Sequence, residues 1–330
     1  MTSDGNHLQS NDRWRPTAEL PYLQLRAALL GRTRDFFSQR GFLEVETPLL
    51  STDTVVDQYL DPFGITTLSE KQAQHLWLQT SPELAMKRIL AAGSGAIYQI
   101  TRAFRDGEKG PLHNREFTMV EWYRPNDKMD DGIALLAELT EALLETEPTE
   151  CTSYRDAFMQ HANVDPLTAD TSRLARVATA ANVAIPEQFG LDQDDWLDLL
   201  MLELVMPHLG RKRPVIVYDY PASQAALARI RQADPPVAER FELFYKGVEL
   251  ANGYHELLDA AELQARAITA NEKRLAMGKN PLPEENRLIE AMRSGLPPCT
   301  GVALGFDRLL MLAAGADTLA DVMTFYGDRA

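Results

Sequence analysis

Cysteine is scarce in this chain of 330 residues: Cys151 and Cys299 are the only two, far apart and without metal-ligand spacing. That excludes a disulfide framework and a cysteine-built zinc site, and leaves two buried free thiols. Long apolar runs are missing as well. No stretch approaches the roughly 18 consecutive apolar residues of a membrane span. The polar opening MTSDGNHLQSNDRWRP has neither a basic n-region nor an apolar h-region, so residues 1–16 read as a loose tail and the protein as cytoplasmic. Basic charge is also in short supply, with 33 Lys plus Arg against 48 Asp plus Glu and a net charge of −15. Such a balance repels a phosphate backbone unless a local patch overrides it, and the densest candidate, GRKRP at 210–214, is a basic turn. Nucleic acid is a poor default partner.

What is present is an ordinary globular composition, 45 % hydrophobic and 25 % charged, long enough for one large domain or two. From Pro21 a helical pattern runs to Gly41, and GFLEVETPLL follows as a short strand ended by Pro48. HLWLQ reads as a strand, and TSPELAMKRILAAG as a helix with Thr80 or Ser81 as cap, Pro82 in its first turn and Gly93 as its stop. AIYQITRAFRD and NREFTMVEWYR form a long hairpin, and Asp130 to Glu147 an acidic amphipathic helix. Residues 151–210 look mainly helical, an insertion or small subdomain. VIVYDYPAS returns to strand, and VAERFELFYKGVELANGYHEL makes two more about a Lys246-Gly247 turn. A helix from Asp259 to Gly278 and a closing strand, glycine turn and helix complete the chain. Strands in hairpins and helices in blocks predict an α+β fold with a mainly antiparallel β-sheet flanked by helices.

Three constellations could carry chemistry. In the hairpin, alternation puts Phe117, Met119, Glu121 and Tyr123 on one face and Thr118, Val120 and Trp122 on the other. Both faces look buried, so Glu121 must be protonated, paired internally with a group such as Arg105, or kept for a cation that arrives with a ligand. In VELANGYHE, Asn252, Tyr254 and Glu256 share a strand face and Glu249 takes the other. Helical spacing, or a bulge at Gly253, would align Glu249 with Glu256, and an oxygen-only pair suits Mg²⁺ better than zinc. In TGVALGFDRLLML, Gly301 and Gly305 leave backbone room and Arg308 opens a helix, a way to offer N–H groups and a guanidinium to phosphate.

Taken in chain order, these segments resemble the three motifs of class II aminoacyl-tRNA synthetases, and the lysine enzymes most. GFLEVETPLL is similar to the dimer-forming first motif, AFRDGEKGPLHNREFTMVEWY to the second and GVALGFDRLLML to the third. TSPELAMKR and ELANGYHELLDA are similar to lysine-pocket and metal segments. The resemblance covers residues 20–330 apart from the helical stretch, within a catalytic domain expected at 17–330. It is closer still to the free-standing relatives that attach (R)-β-lysine to a lysine side chain of translation elongation factor P. The tRNA-reading OB domain is not expected here, in keeping with the acidic balance, and Ser81 stands where lysyl-tRNA synthetases typically carry alanine.

The resemblance implies ATP and Mg²⁺ as cofactors, (R)-β-lysine or lysine as substrate, elongation factor P as acceptor, no tRNA, no membrane and a homodimer. It implies that Arg105 bridges the substrate carboxylate and the ATP α-phosphate, and that Phe117 stacks on adenine. His113, Asn114 and Arg308 would hold the phosphates or adenine, with Asp106, Gly107, Leu250 and Gly305 in the same ATP cradle. Glu249 and Glu256 would hold Mg²⁺. Glu83, beside Ser81 and Pro82, would receive the substrate's amino group. Glu121 and Tyr123 would bind the distal ammonium, with Asn252, Tyr254 and Glu256 completing the pocket. One departure stands out: the second motif usually reads Phe-Arg-x-Glu, whereas Gly107 follows Asp106 here and the acid is displaced to Glu108. The rival readings are a compact enzyme that charges tRNA and a non-catalytic, synthetase-like regulatory subunit.

Overall fold

The computed structural model describes residues 14–68, 73–186, 189 and 192–330, so most of the expected N-terminal tail lies outside the described residues. A nine-stranded sheet organises the chain. Its spatial order runs from β1 (Leu43–Glu44) through β5 (Ile97–Phe104), β6 (Glu116–Pro125), β12 (Cys299–Gly305), β11 (Val248–His255), β10 (Val237–Tyr245) and β8 (Val215–Pro221) to β7 (Glu150–Ser153), with β9 (Ile230–Arg231) beside β10. Only β1 on β5 and β7 on β8 run parallel; the middle of the sheet is antiparallel. A small second sheet joins β2 (Leu50–Ser51), β4 (Ala73–Leu78) and β3 (Gly64–Leu68).

Alternation along β6 sorts the two faces of the main sheet. Val120 and Trp122 sink into a core shared with α1 (Leu20–Gln39), α3 (Met129–Leu144) and α9 (Phe306–Ala313). Phe37 of α1 sits at its centre, fully buried, stacked on Tyr98 at 4.5 Å and 5.3 Å from the Trp122 ring. Arg26 of α1 ties this layer to the sheet, reaching Asp307 and Thr118 at 2.5 Å each, while Asp307 also accepts the Thr118 backbone N–H at 2.6 Å.

The other face carries the opposite alternation set and is covered unevenly. On one side α2 (Glu83–Ala91) and α8 (Arg287–Gly295) pack with the start of α7 (Ala260–Ala276) on Ile97, Tyr123 and Cys299. On the other side α4 (Tyr154–His161), α5 (Thr171–Ala180) and α6 (Gln193–Leu200) form a second core with Val217, Tyr220 and Phe244. These helices are the 151–210 stretch, docked on β8 and β10. Between the two sides the face is left open. A last short helix, α10 (Leu319–Val322), returns to the main core. Of the two thiols expected inside, Cys299 on a central strand is buried, whereas Cys151 is exposed because β7 ends the sheet.

Two features set the register. Lys246 and Gly247 both have positive φ, 52° and 75°, as a tight primed hairpin turn between β10 and β11 requires. Just beyond the turn the register slips: Phe244 faces Glu249, but Leu243 faces Ala251, so Leu250 is an extra residue. The expected bulge therefore exists, but at Leu250. Gly253 is instead a packing position, where a Cβ would collide with the Phe241 ring. Phe37 is the point where removal should cost most. Phe37→Ala is expected to lower stability by about 3–5 kcal/mol in a urea titration, as large aromatic truncations in closed cores do.

Candidate active site

The open face of the sheet is the floor of a cavity of ≈ 900 Å³, at the upper end of the size range of small-molecule sites. Strand pairing lays that floor in two neighbouring rows. One row is Tyr123, Gly301, Tyr254 and Arg240; the next is Glu121, Ala303 and Asn252, continued beyond the wall by Gln99 at one end and Glu242 at the other. The central strand thus contributes its smallest residues, and a Cβ at Gly301 would run into the Tyr123 ring and the Glu256 carboxylate. Large polar side chains on either side lean over a gap that only glycine and alanine leave.

At one end of this gap the structure brings together Ser81, Glu83, Glu121, Tyr123, Asn252, Tyr254 and Glu256, all on the cavity wall. Glu121 is 1 % exposed; Tyr123 donates its hydroxyl to Oε1 at 2.7 Å, and Oε2 has no hydrogen-bond partner. Burial, reinforced by Glu83, pushes the Glu121 carboxyl up to about 8. Asn252 donates to the Tyr254 hydroxyl at 2.9 Å and leaves its own Oδ1 without a partner. Two buried acceptors on the cavity wall, Glu121 Oε2 and Asn252 Oδ1, therefore make no hydrogen bond within the protein, and in natural interiors such groups are filled by a ligand, an ion or an ordered water. Pro82 is not on the wall; it caps the N-terminus of α2, where Glu83 occupies the first turn.

Sequence reasoning missed one member of this cluster. Lys87, one helical turn beyond Glu83, is 2 % exposed and sits between two carboxylates, 2.5 Å from Glu83 Oε1 and 2.5 Å from Glu256 Oε2. Both carboxylates hold its ammonium charged despite burial, Glu256 more than Glu83. The signal was the Glu83–Lys87 spacing in ELAMK, an i,i+4 pair that is usually read as a solvated helix face.

The other end gathers Arg105, Glu108, His113, Asn114, Phe117, Glu249, Leu250, Gly305 and Arg308. The Arg105 guanidinium lies 5.0 Å from the Phe117 ring centroid and 3.3 Å from Glu108. Gly107 turns the chain with a φ of 80°, and the displaced acid comes back to the arginine through Glu108. Asp106 and Gly107 themselves lie off the wall, bonded to each other by the Gly107 N–H to the Asp106 carboxylate at 2.8 Å. Arg308 is braced by the Leu112 and Glu249 carbonyls and meets His113 Nε2 at 2.7 Å. That contact requires an unprotonated Nε2, and burial with the neighbouring guanidinium lowers the His113 pKa accordingly. Asn114 donates to the Glu116 carbonyl at 2.7 Å.

Glu249 and Glu256, expected to hold Mg²⁺ together, both line the cavity. The Leu250 bulge turns Glu249 onto the cavity face, but Glu256 lies at the far end of β11, engaged with Lys87. Burial raises the Glu249 pKa, reinforced by Glu242 of β10, while Arg308, Arg240 and Arg105 oppose the rise. Glu242, itself held by Tyr220 at 2.6 Å and Arg240 at 2.5 Å, was not singled out from the sequence. Among the described residues no group of three or more His, Cys, Asp and Glu is placed to hold a metal by itself.

A cavity with an arginine–aromatic end and a buried acidic end, built across an antiparallel sheet in this strand order, agrees with what known sequences show. The model of "tRNA synthetases class II (D, K and N)" matches residues 13–329. The chain belongs to this family. Among curated proteins it is 47 % identical over 319 residues to the elongation factor P–(R)-β-lysine ligase of Salmonella arizonae, covering 96 % of this chain and 98 % of that protein. It is 48 % identical over 322 residues to the proteins of the same name from Salmonella paratyphi B and Salmonella typhi. Within the class II synthetase family the chain groups with these ligases and is an ATP-dependent ligase.

The acid at the heart of this class II site carries a stability cost that is measurable without substrate. The Glu121 pKa rises from an ordinary 4.5 to about 8 on folding, so between those values the folded state binds more protons than the unfolded one and loses stability as pH rises. Ligand-free Glu121→Gln should therefore be the more stable protein. Its advantage over wild type should widen by about 1 kcal/mol per pH unit from about pH 5.5 to about pH 8, then level off. Parallel urea titrations of the two proteins across that range would show it, and equal slopes would refute the assignment of a desolvated, unpaired acid.

Proposed function

We propose that this ligase activates (R)-β-lysine, or lysine, with ATP and transfers it to the ε-amine of a lysine of translation elongation factor P. The observation that carries the reading is the half-satisfied Glu121 carboxylate on the wall of the cavity that also holds Arg105. The far-end ammonium of the substrate would fill Glu121 Oε2, its amino group would face Glu83, and its carboxylate would reach toward Arg105 at the other end. The names of the Salmonella relatives support the same substrate and acceptor.

In the first step a carboxylate oxygen of the amino acid attacks the α-phosphorus of ATP. An O–P bond forms, the bond to the β-phosphate oxygen breaks, and pyrophosphate leaves with the electron pair. Positioning and charge stabilisation carry such displacements. Arg105 is suited to bridge the two reacting groups because its planar fork can address carboxylate and phosphate oxygens together. Phe117 offers a flat apolar face for adenine, and Arg308 a fixed cation on the opposite side of the ATP cradle. In the second step the acceptor amine attacks the acyl carbon of the adenylate. The amide bond forms as the bond to AMP breaks, and the amine gives up a proton.

For Mg²⁺, the donor that fits is Glu249 on the cavity wall, since both Glu242 oxygens are taken by Tyr220 and Arg240 and Glu256 is engaged with Lys87. Glu249 makes no side-chain hydrogen bond with a described residue, and Mg²⁺ commonly completes its shell with substrate phosphates and water. An ion held there would neutralise phosphate charge. Leu43, Leu49 and Leu50 are exposed at 56, 41 and 38 % around the first motif, an apolar surface that supports a homodimer.

The test of the whole reading is to incubate purified protein with ATP and labelled (R)-β-lysine or lysine in the presence of either elongation factor P or tRNA. Label is expected on elongation factor P, and label on tRNA alone would overturn the acceptor. Glu121→Gln is expected to remove lysine-dependent ATP–pyrophosphate exchange, by about two orders of magnitude or more, because a buried charged contact is lost while the fold persists.

A further inference from the structure

Lys87 has no place in the two steps above, yet it is the most enclosed cation of the cavity region. Its ammonium is 2.5 Å from both Glu83 and Glu256 and 5.8 Å from the centre of the Tyr123 ring. Three carboxylates, Glu83 on α2, Glu121 on β6 and Glu256 after β11, surround this single internal cation. Ionised, they leave two negative charges uncompensated. A diamino acid such as lysine or its β-isomer brings two ammonium groups. We infer that Lys87 is a positioning residue that sets the charge of the pocket to match a substrate with two cations, and that Glu256 is its counter-ion rather than a metal ligand. The inference rests on the lysine-type substrate proposed above and adds how the enzyme keeps that pocket ready.

Three features of the geometry argue for it. First, the Lys87 Nζ fixes Glu83 through Oε1 alone, which leaves the second oxygen for a ligand. Second, Gly301 is forced by this arrangement, since a Cβ there would strike the Glu256 oxygen and the Tyr123 ring together. The fold has given up a side chain in order to hold Glu256 where Lys87 can reach it. Third, every other titratable group facing Lys87 would be anionic or neutral. Tyr123 and Cys299 are pushed up by burial and stay neutral, and no second described cation contacts the three acids. Lys87 also opposes the rise of the Glu256 carboxyl and, after the Tyr123 hydrogen bond, that of Glu121. Without it those acids would be pushed higher still, and the substrate would have to displace more firmly held protons in order to bind.

The test uses ATP–pyrophosphate exchange with L-lysine and with (R)-β-lysine on the full chain, comparing wild type, Lys87→Met and the double variant Lys87→Met/Glu256→Gln. For the single variant, KM for the amino acid is expected to rise at least tenfold at pH 7 while KM for ATP stays put, and the gap should narrow by pH 9 as the acids ionise. The double variant again has two carboxylates and no internal cation, so its KM is expected within about threefold of wild type. A folded single variant with wild-type KM across that pH range would overturn the inference, and so would a double variant as weak as the single one. If the single variant does not yield folded protein, the double variant decides alone: recovery supports charge setting, and a tenfold loss refutes it. Absence of exchange in wild type would instead count against the proposed substrate.

Discussion

A carboxylate buried on a sheet face without a cation of its own is the constraint around which this molecule is arranged. Taking Glu121 out of water is unfavourable by several kcal/mol unless the charge is neutralised or compensated. The protein does part of this internally, through the Tyr123 hydroxyl at 2.7 Å, and leaves the other oxygen facing the cavity. In the role proposed for it, an arriving ammonium would be stabilised by more than a surface acid could offer, because the acid is already desolvated. The same logic gives discrimination: a neutral isostere would seal the cavity over an unpaired group.

The rest of the fold makes such an acid, open to ligand but hidden from water, tolerable. Gly301 and Ala303 keep the centre of the floor low, so that the acids on either side look into space rather than into packing atoms. The Leu250 bulge moves one more carboxylate, Glu249, onto the same face without breaking the hairpin. Behind the sheet, a closed layer of Phe37, Tyr98 and Trp122 supplies apolar burial that offsets the strain of a polar front. The helices on either flank, one set holding Lys87 and the other adjoining Glu242, bring the charges that tune those acids.

Much of this was legible from the residues. Period-two alternation in EFTMVEWYR separated the cavity face from the core face correctly, and the Lys246-Gly247 turn announced its hairpin through residue type. The position of Arg105, Phe117, Glu121 and Tyr123 along one wall followed from that pattern together with the motif order. What escaped depends on pairing between strands whose register the residue types do not mark. Glu242 and Glu249 share a sheet face only because β10 and β11 pair with one extra residue, and a bulge at Leu250 has no glycine to signal it. Lys87 escaped for a different reason: a helix with Glu and Lys four residues apart looks solvated, and only the docking of α2 on the sheet turns that pair inward. The short strands β2, β7 and β9 were missed because two- to four-residue pairings carry too little periodicity to be read.

With the lysine-type substrate proposed above, charge matching would separate either isomer of lysine from the common amino acids. Each isomer carries two ammonium groups and one carboxylate, and the isomers differ in where the nearer amine stands relative to the carboxylate. In the proposed binding mode the far end would meet Glu121, which is buried on the cavity wall. The near end would lie around Ser81 and Glu83, where a hydroxyl rather than a methyl adjoins the acid and Glu83 is already anchored by Lys87 through one oxygen. Discrimination between the isomers therefore falls to the direction of a single free oxygen and the polarity beside it, whereas discrimination against monocationic amino acids falls to the whole anionic cluster. The first depends on geometry and draws on a small part of the binding energy. The second depends on uncompensated charge in a desolvated pocket, where leaving even one acid unpaired outweighs any such adjustment of direction.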